Sequence, residues 1–131
     1  MASFGYLGLD HVQLAAPVGA EAEARRFFGG VLGMSELPRP VSHRDRPGLW
    51  FSCGVQELHI GLDPNFMPSK KAHPAIRVSD IGALQQRMKQ AGVAFRVVEE
   101  DVPGATQVYI EDPFGNRIEF ISRREVEVDQ A

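Results

Sequence analysis

Apolar and polar positions run through the same succession twice along this chain. Leu9 to Ala15 (Leu-Asp-His-Val-Gln-Leu-Ala) alternates with the two-residue period of a strand. Glu21 to Leu32 then carries Ala24, Phe27, Phe28 and Val31 at helical spacing, ahead of a Gly33 suited to ending a helix. Two apolar runs, Gly48 to Cys53 and Val55 to Leu62, meet at Gly54 and predict a hairpin. Asp63 to Lys71 is rich in breakers (Pro64, Asn65, Pro68, Ser69) and reads as a linker. The order then recurs. His73 to Val78 is a short strand, Ser79 or Asp80 can cap a helix with Ile81, Leu84, Met88 and Ala91 on one stripe, and Gly92 ends it. Val93 to Val98, Thr106 to Ile110 and Arg117 to Ser122 supply strands, the last two joined by a turn at Asp112-Pro113-Phe114-Gly115-Asn116. The prediction is an α+β fold in one domain, residues 1–131. It has two βαβββ modules, at about 7–62 and 72–122, forming a curved sheet around a cavity.

Strand parity then picks out chemistry. His11 shares its face with Leu9, Gln13 and Ala15 and leaves Val12 and Leu14 to pack on a helix. His59 opposes Leu58 and Ile60, His73 opposes Ile76 and Val78, and Glu119 opposes Ile118 and Phe120. His11 and His73 are 62 residues apart, and His59 and Glu119 are 60 apart, so the four occupy matching points of the two halves. Imidazole nitrogen with carboxylate oxygen suits a divalent Fe, Ni, Co, Mn or Zn ion, and the absence of thiolate among the four speaks against a purely structural zinc site. His11, His59, His73 and Glu119 are therefore the candidate metal ligands.

Composition narrows the partners. The chain is 44% hydrophobic and 24% charged, as for an ordinary globular domain, and its formal net charge of -3 comes without a basic block to neutralise phosphates. Nucleic acid is a poor partner on that ground. No apolar stretch approaches a membrane span, and the first residues lack a basic region ahead of an apolar run, so neither membrane nor secretion is expected. The single cysteine, Cys53, fits a reducing cytoplasm. A small molecule is the expected ligand.

The chain resembles the vicinal oxygen chelate superfamily, which includes glyoxalase I, extradiol dioxygenases, and fosfomycin- and bleomycin-resistance proteins. The resemblance runs from about Leu9 to Ser122. It rests on Leu-Asp-His-Val, Arg-Phe-Phe-Gly-Gly-Val-Leu-Gly-Met, Ala-His-Pro-Ala-Ile-Arg-Val and, most specifically, Asp-Pro-Phe-Gly-Asn-Arg-Ile-Glu-Phe. It implies ligands on the first, fourth, fifth and eighth strands, where His11, His59, His73 and Glu119 fall, and it implies homodimers. Glyoxalase-like members often carry Glu on the fourth strand, where this chain has His59. Val-Tyr-Ile-Glu-Asp-Pro-Phe-Gly-Asn-Arg-Ile-Glu is similar to the end of the extradiol signature and makes Tyr109 a candidate beside the substrate oxygen, although Glu99 to Gly104 lacks the upstream His.

The remaining candidates are weighed against plain structural roles. Gln13, Trp50, Arg77 and Arg117 are candidate substrate contacts, the arginines for an anionic group and Trp50 for a planar or apolar one. Core packing or ion pairing would explain the same residues. His43, in a polar segment between strands, is expected at the surface. Arg123, Arg124, Glu125, Glu127 and Asp129 read as a solvated tail. Glu119 and Tyr109 are the candidate catalytic residues. The leading expectation is a metal-dependent glyoxalase- or dioxygenase-type enzyme acting on a small oxygenated metabolite. The alternative is a metal-free drug-sequestering protein of the bleomycin-resistance type.

Overall fold

The computed structural model describes residues 2–43 and 45–124. Two compact units divide between Phe66 and Met67, inside the breaker-rich segment. Each holds one mixed four-stranded sheet, so the α+β fold and the duplication hold at the level of topology.

In the first unit the sheet order is β1 (His11–Ala16), β4 (Gln56–Leu62), β3 (Gly48–Cys53), β2 (Glu36–Leu37). β1 runs parallel to β4, and the other pairs are antiparallel. The two-residue β2 carries no alternation of its own and was invisible as a sequence pattern. Between β1 and β2 the expected helix is only partly α-helical. Helix α1 (Glu21–Ala24) continues as π-helical turns over Arg25–Val31, with the Leu32 amide donating to the Phe27 carbonyl at 2.8 Å. Phe27 and Phe28 both point inward from these turns, at 5% and 0% exposure. Phe28 meets Phe51 of β3 with ring centroids 5.8 Å apart, and Leu14, Leu49, Leu58 and Ile60 complete the buried face. Burial of each large side chain contributes roughly 1.5–3 kcal/mol.

The second unit repeats the plan: β5 (Ala75–Arg77), β8 (Arg117–Arg123), β7 (Ala105–Glu111), β6 (Arg96–Glu99), with β5 parallel to β8. Helix α2 (Ile81–Ala91) begins at Asp80, whose Oδ1 accepts from the Ala83 amide at 2.9 Å, and ends at Gly92 in the left-handed region, φ 70°. Its Met88 is fully buried, and Val108, Ile110, Ile118 and Phe120 form the apolar face of the sheet. The predicted His73–Val78 strand is shorter than its pattern: pairing starts at Ala75, because His73 precedes Pro74, which has no amide to give the ladder. The Asp112–Asn116 turn forms as expected. Asp112 Oδ1 accepts from the amides of Phe114 and Asn116 (2.9 and 2.8 Å), and its Oδ2 accepts from Asn116 Nδ2 at 2.8 Å. Among the expected tail residues, Glu125, Glu127 and Asp129 lie outside the described residues.

Candidate functional site

In the first unit, strand register gathers the polar side chains on the face opposite the helix. His11 lies across from Glu57, Gln13 from His59, and Trp50 from His59 on the other side. Parity foresaw this face, but ring geometry adds what parity cannot. The His11 and His59 imidazoles are stacked, with centroids 4.1 Å apart and planes 16° from parallel. Trp50 covers the other side of His59 at 4.2 Å and 4°. His59 is thus sandwiched and only 5% exposed, and its Nε2 lies 2.9 Å from Glu57 Oε1. One face of Trp50 is occupied by His59, and His43 approaches the same indole at 5.5 Å. His43 itself is half-buried in a short 3₁₀ turn. Gln13 lies over Gly61: a Cβ on that glycine would come within 2.6 Å of Gln13 Nε2, so the missing side chain makes room for the amide. His11 is half-exposed and its Nδ1 lies 2.8 Å from Asp10 Oδ1. A carboxylate only accepts, which puts the proton on Nδ1 and leaves the Nε2 lone pair for another partner.

The second unit centres on Glu119, buried at 7% exposure. His73 Nε2 lies 2.9 Å from its Oε1, and Gln107 Nε2 donates to its Oε2 at 2.9 Å. The same Gln107 amide reaches the Tyr109 hydroxyl at 3.1 Å. His73 Nδ1 donates to the Lys71 carbonyl at 2.9 Å, so Nε2 faces Glu119 with a proton when the ring is charged and with its lone pair when the ring is neutral. A lone pair facing a carboxylate oxygen is repulsive unless a proton or a cation sits with both. Burial pushes the Glu119 carboxyl up, but hydrogen bonds from Gln107, His73 and Tyr109 and the charge of His73 outweigh it and hold the group below its ordinary range. Burial and the Glu119 charge push the Tyr109 phenol up, against the opposing pull of Arg117 and Arg96, so the hydroxyl keeps its proton. Arg117 and Arg96 lie over the Tyr109 ring, at 4.4 and 4.9 Å from its centroid. Arg77 is exposed on β5 opposite Ile121.

Tested as metal ligands, these side chains divide. Two donors bound about 2.1 Å from one ion at a right angle lie about 3 Å apart. The 2.9 Å separation of His73 Nε2 and Glu119 Oε1 has that spacing, and His11 offers a free Nε2. His59 fits less well. An imidazole lone pair lies in the ring plane, so one ion cannot lie in the planes of two rings stacked 4.1 Å apart. Between the two rings, His59 is the fixed one, covered on both faces. Among the described residues no three His, Cys, Asp or Glu side chains already stand grouped as a metal site; the donors stand as a pair in each unit.

Three residues that matter here were not among the candidate site residues. Glu57 and Gln107 share strand faces with His59 and Tyr109 and could have been found by the same parity. Arg96 is the register partner of Tyr109, a pairing that needs the β6–β7 alignment.

The family model of the Glyoxalase/Bleomycin resistance protein/Dioxygenase superfamily matches residues 8–120. The chain belongs to that superfamily. Among solved structures it is similar to a glyoxalase family protein from Bacillus anthracis, with 45% identity and a TM-score of 0.88, over 95% of this chain and 100% of that one. It also shares its fold with lactoylglutathione lyase from Agrobacterium tumefaciens (19% identity, TM-score 0.70, 89% and 94% covered). A genomically encoded fosfomycin resistance protein from Listeria monocytogenes is similar at 15% identity and a TM-score of 0.71, with 95% and 96% covered. No curated protein matches. No helix among the described residues is long and apolar enough to cross a membrane.

Proposed function

We propose that the protein is a divalent-metal-dependent enzyme of glyoxalase or dioxygenase type, acting on a small metabolite bound through two adjacent oxygens. His11, His73 and Glu119 are its metal ligands, a set of two histidines and one carboxylate that suits Fe, Mn, Co, Ni or Zn. The observation that carries the reading is the His73–Glu119 pair: a nitrogen whose tautomer is set by the Lys71 carbonyl, 2.9 Å from a buried carboxylate. His59 enters this reading as the pillar that orients His11, with Glu57 holding it in turn.

A bound ion supplies Lewis-acid stabilisation of charge on a substrate oxygen. The chain's own groups do the rest. Glu119 is kept ionised and aimed by Gln107, which gives it the charge a ligand needs. Tyr109 keeps its proton and donates it in a hydrogen bond to Glu119, and a substrate oxygen that displaced that contact would take over the hydrogen bond. Gln13, Trp50, Arg77 and Arg117 are the proposed substrate contacts. Homodimer formation belongs to the same reading. It is supported by the exposed apolar residues Phe4, Tyr6, Leu7 and Leu9 ahead of β1. A cytoplasmic location is also part of it, and the single unpaired Cys53 supports it.

The test is turnover by protein reloaded with each of the five metals and offered an α-keto thiohemiacetal, a catechol and an epoxide. Metal-dependent conversion of one class, lost in His73→Ala, is expected. Tight binding of an aromatic drug by stripped protein, with no turnover of any class, would replace the reading with sequestration.

A further inference from the structure

A second feature of the Glu119 sheet has no role in holding a metal. Lys70, Arg96 and Arg117 line an open cleft of about 450 Å³, together with Ala94, Phe95, Tyr109, Ile110 and Glu111. That volume accommodates a small metabolite or part of one. Four of the lining residues are charged, three positive and one negative, on a chain whose formal net charge is -3. The single acid is already engaged, since Glu111 Oε1 accepts from Lys70 Nζ at 2.9 Å. Arg96 and Arg117 have no carboxylate within ion-pair distance among the described residues, yet both guanidinium groups converge on the Tyr109 ring from the strands on either side of β7. Ring contacts hold the two cations in place without neutralising them. Both arginines face the same open cleft with their charge uncompensated by a carboxylate among the described residues, and an oxyanion in that cleft would take charge-assisted hydrogen bonds from them.

We infer that the Arg96–Arg117 cleft binds a small oxyanion, a carboxylate or phosphoryl group, and that the enzyme's substrate carries such a group. The anchor lies at the Tyr109 end of the sheet face. Register places Arg96 opposite Tyr109 and Tyr109 opposite Glu119, so a molecule anchored at the arginines would extend along the strand pairing toward the carboxylate. The substrate assignment rests on the proposed enzymatic reading, whereas the anion site itself does not depend on any metal.

The test uses the whole chain stripped of metal with a chelator, at constant ionic strength, titrated with inorganic phosphate and separately with malonate while amide and arginine side-chain resonances are followed by NMR. Saturable shifts of Arg96, Arg117 and Tyr109 are expected. Arg96→Gln and Arg117→Gln should each raise the Kd for the preferred anion about tenfold, and Arg26→Gln, in the other unit, should leave it unchanged. The tighter of the two anions identifies the group the substrate carries. Arg96 is exposed, so its variant reports binding even if Arg117→Gln unfolds. Unchanged Kd in Arg96→Gln, or shifts confined to residues outside the cleft, would overturn the site. Because no metal is present, loss of metal dependence elsewhere cannot produce either result.

Discussion

His11 and His59 stack face to face, with ring centroids 4.1 Å apart, and Trp50 closes the far side of His59. The stack separates two histidines that share a strand face and look equivalent in the sequence. His11 is half-exposed, whereas His59 is covered on both faces.

That division predicts different phenotypes. His59→Ala removes a 5% exposed ring and should cost about 2–4 kcal/mol of stability, with metal affinity falling roughly tenfold as His11 loses its support. His11→Ala should fold nearly as well as the parent and bind metal far more weakly. Chemical denaturation and metal titration of the two variants side by side check this.

Acid should act through Glu119. Its folded-state value is held below the ordinary 4.5, so the unfolded chain takes up the proton first as pH falls. The carboxylate's contribution to stability is therefore fully present above pH 4.5 and is lost as pH drops through the lower, folded value. Thermal melts of chelator-treated protein should show the loss, and Glu119→Gln should flatten the melting temperature over that window.

The Asp112–Asn116 turn aims β8 and, through it, Glu119. Asn116 is 2% exposed, bonds Asp112 Oδ2, and accepts from the Ser69 amide at 2.9 Å. Asn116→Ala would strand both partners and should destabilise the chain by about 2–3 kcal/mol. Gly115→Ala should also destabilise it. That residue has φ 94°, and an added Cβ would meet Pro68 Cβ at 3.2 Å. Urea denaturation measures both.

The proposed pairing of two chains rests on the segment before β1, where Phe4 and Tyr6 are 83% and 93% exposed. Light scattering at micromolar concentration should give the mass of two chains. Replacing Leu7 and Leu9 by Asp should shift the mass toward one.

The duplicated topology and the polar faces were legible because strand alternation is written in the residue order: Val12, Leu14, Leu58 and Ile60 against His11 and His59, and Ile118 and Phe120 against Glu119. Three things were not legible, each for a physical reason. β2 is too short for a period to register. The π-helical turns around Phe27 and Phe28 answer to packing against Phe51, which local spacing does not contain. The stacking of His59 on His11 depends on rotamers, and parity fixes only the face from which a ring rises, not the plane in which it lies. The same limit hid the Arg96 approach to Tyr109, since it arises from the alignment of β6 with β7.

The central claim is that His11, His73 and Glu119 hold one divalent ion. Elemental analysis of protein made without an affinity tag, beside a His73→Ala/Glu119→Ala variant confirmed as folded, tests it most directly. The account predicts close to one divalent ion per parent chain and less than a tenth of that in the variant; equal metal content in the two would contradict it.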